Sequence, residues 1–325
     1  MASKIIGVEI GSDTVKLAVV SGGAVKTMAV ERMPENLVRE GKVTAPAAMS
    51  DFIKNMCREH GIRPGPCALV LPQQIVIAHK VIMPVMNEKE LLLNLPFEFR
   101  DFVGKDTSKY DYDYSVLSVH DKVMELYAAA VRREVVEDYY SILRKAGLTL
   151  KVAMPVEMAW LNLIRSVDTE PDTVCIVDVG HNITRVNIFA NGHYEMGKDI
   201  EMGGQLLDQT IADYLQVDPY VARTRKEANL DNVLVSAGCY DAYGALSVEV
   251  MKIVNFYRSS AENGTKLNDI YYCGGSSLIE SLRTAILKRT DLTMHHIRRF
   301  VVAPDIDDDT VLRCALAAGA AMQNH

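Results

Sequence analysis

The sequence has no long apolar run, no cluster of basic residues, a single tryptophan and a net charge of −7. A helix that spans a bilayer needs about 20 consecutive apolar residues, so we expect none here. Neutralising nucleic-acid phosphates needs clustered Lys and Arg, and their absence argues against nucleic acid as a partner. The N-terminal segment also lacks the charged start and the long apolar stretch of a signal peptide. We therefore expect a cytoplasmic protein with no direct membrane insertion.

Paired cysteines are also missing. The six cysteines form no Cys-x-x-Cys pair, and no histidine lies near them at the spacing of zinc ligands. This pattern predicts a reducing compartment and no structural zinc site. The 325 residues, 49% hydrophobic and 24% charged, are typical of a globular protein that can form two domain-sized cores.

Two short acidic-glycine segments are the most informative feature of the chain. Glu9–Lys16 and Asp178–Thr184 each follow one apolar run and lead into another, which predicts a strand, a tight turn and a second strand in both places. Glycine lets backbone amides approach a phosphate closely, and the preceding carboxylate can hold a hydrated Mg²⁺. Either segment alone is also explained by an ordinary hairpin turn. Two copies facing each other would bind one nucleotide from both sides.

Five motifs follow one another along the chain in the order of a known superfamily. They are Glu9-x-Gly11-Ser12-x-x-x-Lys16, Asp178-x-Gly180, Gly203-Gly204-x-x-x-Asp208, Gly274-Gly275-Ser276 and Ala315-x-x-Ala318-Gly319. In these motifs the chain resembles the actin/Hsp70/sugar-kinase superfamily, where they form two phosphate loops, a Gly-Gly turn, an adenosine loop and a connecting helix. Together they cover the whole chain, which makes the resemblance specific.

Within that superfamily the chain is similar to the PilM family of type IV pilus assembly proteins, which are relatives of FtsA. This similarity is carried by residues 82–84, 88–91, 97–103, 112–114 and 254–258. The resemblance implies an α/β, actin-like (ribonuclease H-like) two-domain fold with an FtsA-type inserted subdomain and a central nucleotide cleft. It places the first subdomain at 1–79, 151–170 and 305–325, the inserted subdomain at 80–150, the second subdomain at 171–217 and 244–304, and a small helical subdomain at 218–243.

The resemblance also implies ATP and Mg²⁺ as cofactors. Glu9, where the superfamily usually carries Asp, and Asp178 would hold the metal through water. The residues implied to bind the nucleotide are Gly11, Ser12, Asp13, Thr14, Lys16, Asp178, Gly180, Asn182, Gly203, Gly204, Lys226, Glu227, Gly274, Gly275 and Ser276.

Three of these motifs keep a second explanation. Gly274-Gly275-Ser276 also suits a strand-to-helix turn with Ser as N-cap. His181 replaces a small residue after the second Asp-x-Gly, where it would donate to a phosphate oxygen or simply face solvent. Glu157 matches the position near the attacking water in Hsp70-like relatives, which makes it the candidate catalytic residue. An acid favoured by the dipole at a helix start explains Glu157 equally well.

The resemblance implies an ATP-binding adaptor, at most a weak ATPase, that links the alignment complex to the pilus motor. Its partner would be the cytoplasmic N-terminal peptide of the inner-membrane protein PilN, held near residues 82–103. A small-molecule kinase of the same superfamily and an FtsA-like filament protein are the alternatives. The sequence shows no further motif for a substrate hydroxyl, and no amphipathic segment follows the expected connecting helix. Contacts with other pilus components and self-association stay open.

Overall fold

The computed structural model describes residues 4–167, 171–260 and 266–322. The described residues form two compact units. The first unit comprises Met1–Ser166, Ala303–Asp305 and Leu316–His325, and the second comprises Val167–Val302 and Ile306–Ala315. Parts of the predicted subdomain ranges (1–3, 168–170, 261–265 and 323–325) lie outside the described residues.

Fifteen strands and ten helices are assigned within the described residues, joined by short 3-10 turns. The strands are β1 (Lys4–Ile10), β2 (Thr14–Ser21), β3 (Ala24–Arg32), β4 (Val38–Arg39), β5 (Lys42–Val43), β6 (Gly65–Val70), β7 (Val76–Pro84), β8 (Tyr110–His120), β9 (Val123–Arg132), β10 (Leu148–Met154), β11 (Thr173–Val179), β12 (Thr184–Ala190), β13 (His193–Ile200), β14 (Asp269–Cys273) and β15 (Thr293–His296). The helices are α1 (Pro46–Glu59), α2 (Glu88–Glu98), α3 (Arg100–Val103), α4 (Arg133–Lys145), α5 (Val156–Ile164), α6 (Gly204–Leu215), α7 (Pro219–Glu227), α8 (Ala237–Ser260), α9 (Glu280–Thr290) and α10 (Asp308–Ala321). None of the helices in these described ranges is long and apolar enough to cross a membrane.

The main sheet of the first unit has the strand order β10-β6-β1-β2-β3. Strands β1, β2 and β3 form an antiparallel meander, whereas β6 and β10 continue the sheet in parallel with β1. Parallel strands need crossover connections, and these bring helices onto the sheet. Ile6, Val8 and Ile10 of β1 are buried in the core of this unit. The central strand is therefore covered, as its continuous apolar sequence predicts.

A glycine in the central strand sets how closely helix α10 approaches the sheet. A Cβ atom added at Gly7 would lie 1.7 Å from the backbone carbonyl oxygen of Ala317. No side chain fits at that distance, so β1 and the end of α10 are in backbone contact. The predicted C-terminal helix thus packs on the first unit through small residues.

The sheet of the second unit has the same topology. Its order is β13-β12-β11-β14-β15, with an antiparallel meander on one side of β11 and two parallel strands on the other. When only the five strands of each sheet are numbered, in chain order, both sheets read 3-2-1-4-5. The internal repeat predicted from the two acidic-glycine segments is therefore present as a repeated sheet.

A three-stranded sheet, β7-β9-β8, is part of the first unit and packs against α2. It has its own small core, which includes Leu91, Leu95 and Phe99 of the helical segment. Helix α4 instead buries its apolar face in the larger core of the first unit, where the hydroxyl of Tyr139 donates to the Gly41 carbonyl at 2.8 Å. The boundary of 80–150 for the inserted subdomain stays a prediction.

The sequence over 88–103 predicts one helix that Pro96 interrupts, whereas the structure has α2 followed by the short helix α3. Helix α2 begins with a capping box in which Asn87 and Glu90 exchange hydrogen bonds between side chain and backbone. It contains Pro96 and ends at Glu98, after which Phe99 separates it from the short helix α3. Proline lacks the amide that would continue the helical hydrogen bonds. The predicted interruption at this proline is thus followed by a break three residues later.

Candidate nucleotide-binding site

The first acidic-glycine segment is a tight turn between β1 and β2. The Gly11 N–H donates to the Thr14 carbonyl at 3.0 Å. A Cβ atom at Gly11 would lie 3.1 Å from that same oxygen, so only glycine fits without a shift. The turn leaves the carboxyl end of β1 beside the parallel strand β6. In open α/β sheets this end of the strands is where ligands bind.

The charged residues of the first turn are paired. Glu9 and Lys16 are opposite each other in the antiparallel register, and the Lys16 ammonium forms an ion pair with the Glu9 carboxylate. The side chains are only 11% and 17% exposed, respectively. Ser12 is exposed, whereas the Asp13 carbonyl accepts from the Met33 N–H at 2.9 Å. The structure therefore brings together the predicted metal-side acid and the predicted phosphate-side lysine.

The second segment repeats this turn between β11 and β12. The Gly180 N–H donates to the Ile183 carbonyl at 3.0 Å, which is the same bond at the same place in the motif. A Cβ atom at Gly180 would lie 2.8 Å from that oxygen. Asp178 is paired in register with Arg185, just as Glu9 is paired with Lys16. The two hairpins are equivalent in hydrogen bonding and in register.

Arg185 is a residue that the sequence analysis missed. It holds the position of Lys16 and forms an ion pair with Asp199 at 3.4 Å. Burial raises the pKa of Asp199, while the guanidinium of Arg185 acts in the opposite direction. The signal was available, because a basic residue follows the acidic one by the same spacing in both segments.

Two further predicted motifs are hydrogen-bonded to the second turn. The Gly204 N–H donates to the Gly180 carbonyl at 3.0 Å, and the Gln205 N–H donates to the His181 carbonyl at 2.8 Å. The Ser276 hydroxyl donates to the Gly180 carbonyl at 3.0 Å. The Gly203-Gly204 turn and the Gly274-Gly275-Ser276 turn are thus joined to the Asp178-x-Gly180 turn. These hydrogen bonds hold the start of α6 beside the second turn. A helix N-terminus at this place would attract an anion such as a phosphate.

Close backbone approach explains the glycines of this cluster. A Cβ atom at Gly203 would lie 2.5 Å from the His181 carbonyl oxygen. A Cβ atom at Gly274, where φ is +86°, would lie 2.3 Å from Oδ1 of Asp178. Gly275 differs, because it is exposed and a Cβ atom there would meet nothing within 4 Å. The predicted adenosine loop therefore has one glycine that the fold requires and one with open space in front of it.

Lys226 and Glu227 have different environments. The Lys226 ammonium donates to the Gly204 carbonyl at 2.9 Å and lies 2.5 Å from Oδ1 of Asp208. Burial lowers the pKa of Lys226, and the charge of Asp208 partly opposes that shift. Glu227 is exposed and pairs with Arg223 at 3.2 Å on the same helix. The structure brings Lys226 into hydrogen-bonding contact with the glycine pair.

The remaining predicted residues are Asn182 and His181 in the second turn and Glu157 on α5. Asn182 is exposed in the second turn, and Nδ1 of His181 lies 3.6 Å from where a Cβ atom at Gly204 would be. Glu157 is 4% exposed in the first turn of α5. Glu9, Glu157 and the residues of the first turn belong to the first unit, and the cluster around Asp178 belongs to the second.

The small sheet and its helices carry a separate apolar surface, which we define as Leu93, Phe97 and Phe102. Their exposed fractions are 65%, 63% and 58%. Ile82 is also exposed (72%), but it alternates along β7 with the buried Val81 and Met83, which share a core with α2, so it lies on the other face of the sheet. On α2, Leu91 and Leu95 are one helical turn apart and both buried. Leu93 and Phe97, also one turn apart, lie on the outer side of the helix. Several large apolar side chains exposed on one small module are typical of an interaction surface.

Comparison with known proteins identifies the family and the fold. The family model described as type IV pilus assembly protein PilM matches residues 7–322. The structure is similar to one described as a PilM-PilN type IV pilus biogenesis complex, with a TM-score of 0.85, 22% identity and coverage of 99% of this chain and 98% of the other. It is also similar to the ethanolamine utilization protein EutJ from Carboxydothermus hydrogenoformans, with a TM-score of 0.62, 12% identity and coverage of 98% and 90%. For MreB5 of Spiroplasma citri bound to ADP, the TM-score is 0.53, the identity is 13% and the coverage is 97% and 94%. The predicted actin-like α/β fold is confirmed.

Proposed function

Because the chain belongs to the family of type IV pilus assembly protein PilM, we propose that it is a nucleotide-binding adaptor of type IV pilus assembly. The observation that carries this proposal is the repeated hairpin, with the same hydrogen bond at Gly11 and at Gly180 in two sheets of the same order. Two such turns in one chain suit the phosphates of a single nucleotide. The similarity to an actin-like protein bound to ADP supports this ligand class.

The ligand proposed is ATP with Mg²⁺. In each turn the glycine accommodates close approach of a phosphate, and the start of α6 adds the positive end of a helix dipole. Carboxylate oxygens are suitable ligands for Mg²⁺ or for its bound waters. Glu9 and Asp178, at the ends of β1 and β11, supply those oxygens. Bound Mg²⁺ would neutralise phosphate charge, while the ion pair with Lys16 would orient the Glu9 carboxylate.

We assign at most slow hydrolysis, with Glu157 as the candidate general base. Its carboxylate is buried in the first turn of α5. A general base must reach the attacking water within about 3 Å. Glu157→Ala should therefore abolish phosphate release while leaving the affinity for ATP within about threefold. Unchanged phosphate release in a variant that still binds ATP would remove Glu157 from this role.

The partner proposed is the cytoplasmic N-terminal peptide of the inner-membrane protein PilN. This assignment draws on the similarity to the PilM-PilN complex and on the apolar surface of the small sheet and its helices. An extended peptide can combine edge pairing with a sheet and apolar pockets for its side chains, and β7 and β8 are both edge strands. The chain would then be cytoplasmic, held at the inner membrane through PilN, and would couple the alignment complex to the motor.

Titration of a fluorescent PilN N-terminal peptide tests the partner directly. Phe97→Ser should weaken peptide binding at least tenfold, because an aromatic anchor contributes at least about 1.4 kcal/mol at an interface. Phe256→Ser is the matched control, since Phe256 is 62% exposed on α8 and Phe97 is 63% exposed on α2. Absence of peptide binding, with and without ATP, would reject PilN as the partner. Equal effects of the two variants would reject the apolar surface as its site.

A further inference from the structure

A buried ion pair contacts the Gly203-Gly204 turn. Asp208 is on the second turn of α6 and Lys226 is on α7, and their side chains are only 6% and 10% exposed, respectively. The ammonium also donates to the carbonyl of Gly204, the first residue of α6. The pair therefore connects two helices to one glycine.

Stability alone is a poor explanation for this arrangement. Removing two charges from water costs as much as their attraction returns, and apolar replacements of buried pairs are often neutral or stabilising. Removal of one partner, in contrast, leaves an uncompensated buried charge. A buried pair with a third partner on the backbone is better suited to fixing geometry.

Lys226 binds the backbone of Gly204, and the backbone of Gly204 and Gln205 in turn forms hydrogen bonds to the second turn. Gly204 donates its N–H to the Gly180 carbonyl, and its neighbour Gln205 donates to the His181 carbonyl. A displacement of Gly204 would therefore change both hydrogen bonds and with them the orientation of the turn. Gly204 is closely surrounded, since a Cβ atom there would lie 2.5 Å from the Ser276 hydroxyl and 3.3 Å from the Lys226 ammonium.

We propose that Lys226, tied to Asp208, is a positioning residue that holds the Gly203-Gly204 turn and thereby sets the affinity for the nucleotide. This inference rests on the proposed nucleotide binding and gives Lys226 a role other than direct contact with the nucleotide. Asp208 becomes part of the site although it need not touch the ligand. The ion pair acts through Gly204 on the carbonyls of Gly180 and His181.

A double variant separates positioning from stability. Lys226→Met alone leaves the Asp208 carboxylate buried without its partner and should lower the melting temperature. Adding Asp208→Asn removes that charge, so the melting temperature should return towards the parent value. Binding of the fluorescent nucleotide mant-ADP should stay at least tenfold weaker in the double variant, because the bond to the Gly204 carbonyl is still missing.

The matched control is the exposed pair Arg225 and Asp231, which lie 2.9 Å apart in the same region. Arg225→Met with Asp231→Asn should leave mant-ADP affinity within twofold of the parent protein. Amide hydrogen exchange without nucleotide gives a second measurement, and the amides of Gly204 and Gln205 should exchange at least tenfold faster in the Lys226→Met, Asp208→Asn protein.

Three results would count against the inference. If affinity recovers together with melting temperature in the double variant, Lys226 has only a structural role. If the exchange of the two amides is unchanged, the turn does not depend on Lys226. If the parent protein itself binds no mant-ADP while both exchange rates rise, nucleotide binding is rejected, and the claim that Lys226 sets nucleotide affinity is rejected with it. The hold of Lys226 on the turn would still be supported.

Discussion

Replacing Gly274 by alanine tests whether the close packing of the second unit depends on the absence of a side chain. The backbone at Gly274 has φ 86° and ψ 153°, a region that is essentially restricted to glycine. Its N–H donates to the Leu312 carbonyl at 3.0 Å, so the backbone is held in place. A new Cβ atom would lie 2.3 Å from Asp178 Oδ1 and 2.5 Å from the Val179 carbonyl oxygen. The second contact is with backbone and cannot be relieved by a rotamer change.

Two contributions set the expected magnitude. A non-glycine residue in this backbone region costs about 1–3 kcal/mol, and forcing an extra methyl group into a packed site costs about 1–3 kcal/mol. The free energy of unfolding should thus fall by about 4 kcal/mol, the sum of the two midpoints. For a folding unit of about 150 residues, the melting temperature falls by about 2–4 °C per kcal/mol, which gives a decrease of about 8–16 °C.

Thermal unfolding followed by circular dichroism measures the effect, with Gly275→Ala as the control. The neighbouring glycine is exposed and has nothing within 4 Å of its Cβ position, so its replacement should change the stability by less than about 0.5 kcal/mol. Equal melting temperatures for the two alanine variants would refute the packing argument. A large loss in Gly275→Ala alone would refute it as well.

Three further substitutions test other parts of the fold by chemical unfolding. Gly319→Ala in α10 should destabilise the protein by about 2 kcal/mol or more, because its Cβ atom would lie 2.1 Å from the Ala159 carbonyl oxygen. Gly244→Ala in the interior of α8, with open space around it, should instead stabilise the protein by about 0.5–1 kcal/mol; the opposite order would contradict both. Tyr139→Phe should cost about 1–2 kcal/mol, because it leaves the Gly41 carbonyl without the hydroxyl that donates to it at 2.8 Å. An unchanged midpoint would show that this hydrogen bond contributes nothing.

The repeated hairpins could be predicted because their signal is local. An apolar run, an acidic residue, a glycine and a second apolar run follow one another within a few residues of Glu9 and again of Asp178. The turn at each glycine follows from that order of residue types. The alternation of Tyr and Asp in β8 is equally local, and its tyrosines are half-buried while Asp111 and Asp113 are exposed.

The contacts between distant segments could not be predicted in the same way. The approach of Gly204 to Gly180 and the pairing of Lys226 with Asp208 depend on how α6 and α7 pack, and no residue spacing encodes that packing. The packing of α4 on the larger core is of the same kind. Arg185 is different, because its position was readable from the first hairpin and was overlooked.

The number of nucleotides bound per chain tests the central claim most directly. Equilibrium titration of the purified protein with mant-ATP and Mg²⁺ gives both the affinity and the stoichiometry. Because Gly11 and Gly180 are proposed to serve one nucleotide, saturation should occur at one nucleotide per chain. Absence of saturable binding, or saturation at two nucleotides per chain, would contradict the proposal that the repeated turns share a single ligand.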